Sequence, residues 1–175
     1  MNNGQRVAAR AVDLATPFGS IRETSTNDDG PAGWIRTAQG VWGMGAGTRI
    51  GPQPWCGMGA DKIFRLAGVD DSGICHPSTA EMCRRADAAG GMRPKSSRIH
   101  PGTILIQCGT HITLVVHDDE SGLLDCVGCN ESDMIRRSRR AKSWGRLIAV
   151  PGLREGEPAA LVEYWFEDPN ALPDY

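Results

Sequence analysis

Two residues of this chain are equipped for nucleophilic chemistry, Cys56 and His111. Cys56 lies in PWCGMGADKIFRLAGV, after a glycine-rich loop, where apolar residues begin to recur at helical spacing. On the first turn of a helix, unpaired backbone N–H groups and the positive end of the dipole favour a thiolate and can receive a developing oxyanion. His111 opens the apolar run HITLVVH, directly after the Cys108-Gly109-Thr110 turn. An imidazole there takes the thiol proton and later donates it to a leaving amine, which is the minimum that acyl transfer needs. A buried Cys56 and a hydrogen-bonded His111 form the competing, purely structural reading.

A metal reading uses some of the same residues. Cys108-x-x-His111 and Cys126-x-x-Cys129 are two ligand pairs separated by 14 residues, close to the knuckle spacing of a Cys₃His zinc site. In such a site His111 would be a ligand and not a base. A disulfide among these residues is a third option. The chain has 6 cysteines in all, too few for a disulfide scaffold of 175 residues. His117 shares the odd-numbered face of its run with His111, while His76 and His100 lie beside prolines; all three read as structural.

Positioning these residues requires helices first and strands second. Apolar residues at spacings of three and four predict a helix over 5–16, stopped by Pro17 and Gly19. A short helix restarts after Pro31 and ends at Gly40, and another runs from Trp55 to Ala67 with Gly68 as its stop. Ser78 and Glu81 form an S-x-x-E capping box for a further helix, closed by Gly90-Gly91. After Pro101-Gly102 the period changes. TILIQC, HITLVVH, GLLDCV, RLIAV and LVEYWF are short runs rich in Ile, Val and Leu and predict strands of an antiparallel meander. The expected fold class is α+β, with N-terminal helices packed on a C-terminal antiparallel sheet. Residues 1–152 form the one domain, and 153–175 an acidic extension that serves as an extra strand or a docking segment.

Charge narrows the partners. With 19 basic and 21 acidic side chains the net charge is −2, so no global field draws the chain to nucleic acid or anionic lipid. The run IRRSRRAK carries five positive charges without interleaved aromatics. It reads as a solvated face, or as a grip for an anionic wall polymer, and it argues against single-stranded nucleic acid. Arg6, Arg10 and Asp13 interrupt the N-terminal apolar positions, so neither a signal-peptide core nor a membrane-spanning stretch is expected. Synthesis in the cytoplasm follows as the expectation.

The order of IRETSTNDDGPAGW, PWCGMGADKIFRLAGV, PGTILIQ, GTHITLVV, CNESDMIRRSRR and WGRLIAV resembles the cysteine, histidine-dependent amidohydrolase/peptidase (CHAP) family, within the NlpC/P60-like papain-type fold. The resemblance runs from about Ala8 to Val150, and its most specific pieces are PWC at a helix start and the P-G-strand-GTH-strand arrangement. It implies hydrolysis of an amide bond in peptidoglycan by an endolysin or tail lysin of phage origin, released through a holin or carried on the virion beside tail proteins. Cys56 matches the nucleophile and His111 the base, with no cofactor and no metal. Asn130 matches the asparagine of the family's E-x-N motif, but Gly128-Cys129-Asn130 lacks the glutamate. The orienting role then falls to Asn130, or to Asp125 or Asp133. Trp55 and Trp34 are expected to wall the substrate groove. The alternative is a non-catalytic virion or structural module stabilised by zinc on Cys108, His111, Cys126 and Cys129.

Overall fold

Asn2 caps the first helix, α1 (Asn3–Ala15): its side chain accepts from the Gln5 N–H at 2.9 Å, and the Gln5 side chain accepts from the Asn2 N–H at 2.6 Å. In this computed structural model, which describes residues 1–90, 92–93, 99–150 and Leu153, the buried face of α1 is Val7, Ala8, Ala11, Val12 and Ala15. These are small residues, so the helix can lie close to the sheet. The acidic extension beyond Leu153, and the strand expected over LVEYWF, lie outside the described residues.

The second helix, α2 (Trp34–Gly40), starts three residues later than Pro31 because a carboxylate fixes its first turn. Asp29 accepts from the N–H groups of Ile35 at 2.8 Å and Arg36 at 3.1 Å, and Pro31-Ala32 are left in a turn. Helix α3 (Cys56–Leu66) has Trp55 as its N-cap rather than its first residue. Helix α4 (Thr79–Ala88) is capped by the Ser78 hydroxyl, which accepts from the Glu81 N–H at 3.3 Å. The Glu81 side chain turns instead to Arg84 and Arg85, so only half of the expected capping box forms.

The strands are β1 (Met92–Arg93), β2 (Ile104–Gln107), β3 (His111–Asp118), β4 (Leu123–Gly128), β5 (Arg136–Ala141) and β6 (Arg146–Ile148). They form one antiparallel sheet in the order β1-β6-β2-β3-β4-β5. The meander therefore holds only from β2 to β5, and β6 returns to pair with the far side of β2. The fold is α+β, with the helices packed on the sheet. Among the described residues no helix is long and apolar enough to cross a membrane.

Strand β5 is the polar run expected to be a solvated face. Two of its four arginines are matched by carboxylates: Arg139 reaches Asp125 at 3.2 Å and Asp119 at 2.5 Å, and Arg140 pairs with Glu131, while Arg136 and Arg137 donate to the Ser132 and Thr16 hydroxyls at 3.1 and 3.4 Å.

Alternation along the strands divides the core in two. Ile104, Ile106, Ile112, Leu114 and Val116 face the helices and pack with Val7, Met58, Ile63 and Phe64. Leu105, Val115, Leu124, Cys126 and Leu147 form a smaller cluster on the opposite face, closed by Trp144 in a 3-10 turn (Lys142–Trp144). A disulfide joins Cys83 on α4 to Cys108 in the β2–β3 turn across 25 residues, a loop closure that contributes roughly 3 kcal/mol.

Gly57 sits on the first turn of α3 with the His76 carbonyl oxygen directly over it, and a β-carbon there would overlap that oxygen. Gly57→Ala is expected to destabilise the fold by about 1–3 kcal/mol although alanine is the better helix former, because backbone cannot yield as a side chain tip can. Urea denaturation of the two proteins measures this, and an unchanged or raised midpoint overturns it.

Candidate active site

Cys56 occupies the first helical position of α3 and is 5 % exposed. Its thiol reaches the sheet at the start of β3: the backbone N–H groups of Gly57 and Ile112 both favour its charged form. Burial outweighs them and raises the thiol above its ordinary pKa. The expected helix-start thiolate is thus corrected to a neutral thiol, because the few N–H dipoles that reach the sulfur offset only part of the lost hydration.

Ile112 joins Cys56 in the helix-side cluster, so His111, one residue earlier, projects to the other face of the sheet. There its ring meets Trp144 edge-on, with centroids 6.2 Å apart and planes at 90°. No hydrogen bond joins His111 to Cys56, and the buried Nε2 of His111 has no partner. The backbones of the two candidate residues meet; their side chains do not. Burial lowers the His111 pKa, the Glu131 carboxylate pulls it back up, and the Arg140 guanidinium lowers it.

Glu131 is the residue that motif reasoning missed. It is 8 % exposed, pairs with Arg140 and accepts from the Ser138 hydroxyl at 3.2 Å. A β-carbon on Gly128 would fall on its carboxylate. The space beside residue 128, where the E-x-N pattern calls for a glutamate, is filled by a carboxylate arriving from three residues later. The signal was present in CNES, where an acid directly follows Asn130.

Asn130 does not orient His111. With its amide turned so that both ends are satisfied, it donates to Glu23 Oε1 at 3.1 Å and accepts from the Trp55 N–H at 3.3 Å. The Glu23 carboxylate also accepts from the Trp55 indole at 2.9 Å and from the Asn27 N–H at 2.6 Å. Asn130 thereby holds the residue before Cys56. Of the other candidate orienters, Asp125 is engaged with Arg139, and Asp133 has an exposed side chain in the turn before β5, where its backbone carbonyl accepts from the Glu23 N–H at 2.7 Å.

Trp55 cannot wall a groove, since it is 0 % exposed and its indole is bound to Glu23. Trp34 stands edge-on to it at 6.1 Å, half-buried, with the Lys62 ammonium 4.3 Å above its ring.

The zinc set does not assemble. Cys108 is bonded to Cys83, and Cys126 and Cys129 belong to clusters on opposite faces of the sheet. The Cys126 thiol points back to the Leu124 carbonyl at 3.6 Å, its pKa pushed up to about 12 by burial. Among the described residues no group of three or more His, Cys, Asp and Glu could hold a metal ion. No family model, curated protein or solved structure matches the chain.

The charges around His111 make opposite demands that titration can read. Glu131→Gln removes the anion that supports the imidazolium and is expected to lower the His111 pKa further, whereas Arg140→Gln is expected to raise it. NMR titration of the His111 ring protons measures both, and shifts of the same sign in the two variants would overturn this electrostatic assignment.

Proposed function

We propose that the chain is a cysteine-dependent hydrolase of amide bonds in peptidoglycan, an amidase or endopeptidase of phage origin that serves lysis or wall penetration. One observation carries the reading: a cysteine on the first turn of a helix, its sulfur under the N–H groups of Gly57 and Ile112, against the strand that begins with His111. This arrangement supports a papain-like reading, in which backbone N–H groups beside the sulfur would also serve a developing oxyanion.

In the proposed reaction His111 takes the proton from the Cys56 thiol as the sulfur attacks a peptide carbonyl. The tetrahedral oxyanion collapses to a thioester, and the imidazolium protonates the departing amine. Water then releases the product, with His111 again the base. For this a rotation of the ring alone is not enough, because His111 and Cys56 lie on opposite faces of the sheet: the start of β3 must re-lay so that the imidazole leaves Trp144 and reaches the helix side, a change that breaks no side-chain hydrogen bond of Nε2. Glu131 stabilises the imidazolium during each transfer, and Asn130 positions the nucleophile through Trp55. The cofactor-free thioester route leaves Trp34 as the one aromatic of the expected pair still available to a wall peptide.

A second reading, a non-catalytic virion or structural module, is favoured by the orientation of His111 away from the thiol. It no longer includes zinc, because Cys108 is taken by its disulfide.

Digestion of purified peptidoglycan followed by mass spectrometry of the soluble fragments separates the two. Cleavage is expected, with Cys56→Ala reducing it by roughly three orders of magnitude or more and His111→Ala by a comparable factor. The rate should rise with pH along a limb set below the ordinary histidine pKa of about 6.5, because His111 must be neutral to act. Cleavage that survives Cys56→Ala removes the catalytic assignment, and a folded wild-type protein that releases nothing supports the module.

A further inference from the structure

We infer that the Cys83–Cys108 disulfide is a thiol-exchange site, through which low-molecular-weight thiols and disulfides control the order of the strand start that carries His111. The inference rests on the proposed function only for its effect on activity. Its two sulfurs differ in a way that suits exchange. Cys83 is 5 % exposed within the main core, whereas Cys108 is exposed at the tip of the β2–β3 turn. Beside the exposed sulfur, Arg146 Nη1 donates towards Cys108 Sγ at 4.0 Å, while its Nη2 pairs with Asp87 on α4 at 2.7 Å. A guanidinium so placed favours the thiolate of Cys108 over its thiol, which makes Cys108 the attacking sulfur when the bond re-forms.

The turn it fixes belongs to the candidate site. Gln107 and His111 are register partners on either side of Cys108-Gly109-Thr110. The Thr110 N–H donates to the Gln107 carbonyl at 2.9 Å, and the Gln107 amide donates to the Trp144 carbonyl at 3.1 Å. Trp144 in turn packs on the His111 ring. Turn, Trp144 and His111 therefore form one small unit, and the disulfide together with the Arg146–Asp87 pair ties that unit to α4.

Opening the bond balances as follows. A small-molecule thiolate attacks Cys108 Sγ, the S–S bond breaks, and its electron pair leaves on Cys83 Sγ, which takes up a proton. A second thiol attacks the mixed disulfide at its non-protein sulfur and expels Cys108 as a thiolate beside Arg146. The protein disulfide gains two electrons and one proton, Cys108 staying a thiolate; the two small thiols leave as one small disulfide and their other proton goes to solvent.

The test uses the full chain in glutathione buffers ranging from oxidised to reduced, read by thiol alkylation, by amide hydrogen exchange and by wall digestion. On reduction Cys83 and Cys108 are expected to become alkylated. Exchange over residues 107–113 should speed up by at least about tenfold while that of α1 stays unchanged, as local opening requires. Digestion should fall several-fold and return on reoxidation. A Cys83→Ser/Cys108→Ser double variant is expected to match the reduced protein and ignore the buffer. The inference is overturned if both cysteines alkylate without reductant, if exchange over 107–113 is the same in both states, or if reduction loosens α1 and the turn alike, which marks a general staple. Exchange that responds while no redox state digests the wall sinks the hydrolase reading and leaves the clamp standing.

Discussion

The close seating of the first turn of α3 is the constraint on which the site depends. Gly57 allows the His76 carbonyl to lie on the helix, and Gly59, one turn further from Cys56, faces Cys129 Sγ at 2.7 Å from where its β-carbon would stand. Trp55 fills the space behind, and its indole and backbone N–H are both held by the Glu23–Asn130 pair. With larger side chains at 57 and 59 the helix would stand off, and the thiol would lose the Ile112 N–H. A glycine costs a helix about 1 kcal/mol relative to alanine. Two of them in α3 stand against that cost, Gly57 because the His76 backbone lies on it and Gly59 because the Cys129 side chain does.

That seating also dehydrates the sulfur. The N–H groups that converge on Cys56 arrive with a wall of Met58, Ile112 and Cys129, so favourable dipoles and unfavourable desolvation come from the same contacts. On the far face of the sheet the balance is drawn differently. Glu131, Arg140 and Ser138 are half or fully buried and paired with one another, leaving only the Arg140 Nε without a partner, and the imidazole beside them answers to the net field of a nearly neutral pair. A compact ion pair next to a titrating ring is a sensitive arrangement, since removing either partner leaves a full unit of charge close by.

Much of this was legible in the residues. Period changes marked the helices and the apolar strands, and the PWC helix start and the strand beginning at His111 fell where spacing put them. What was not legible depended on long-range pairing. Strand β5 is built from RRSRRA, which no propensity favours; it is held by its pairing with β4 along its whole length, and Asp119, Asp125 and Glu131 arrive from neighbouring segments to match Arg139 and Arg140. The partner of Cys108 was hidden for the same reason: ligand spacing pointed along the chain to His111 and Cys126, while the sulfur that reaches it comes from α4. Trp55 beside Cys56 looked like a groove wall, yet sequence adjacency carries no information about which side of a helix cap faces solvent. Glu131 was overlooked because a motif fixes a residue's position in the chain, whereas electrostatics asks only where the carboxylate ends up.

The two shifts together constrain any chemistry at the site. Burial moves the thiol up and the imidazole down, so in the resting protein the proton belongs to sulfur and a thiolate–imidazolium pair is not preformed. Transfer then has to be coupled to attack, and the charge separation created at that moment needs stabilisation from both faces of the sheet at once. In the proposed reaction the Gly57 and Ile112 N–H groups would supply it beside the sulfur, and Glu131 for the imidazolium. Because Ile112 and His111 are consecutive residues of one strand, any movement of the β2–β3 turn displaces a donor to the Cys56 sulfur and the proposed base together. A site with a preformed ion pair tolerates such movement better, since its nucleophile is already charged. In the proposed reaction the alignment of one short turn therefore decides whether two neutral groups can exchange a proton at all.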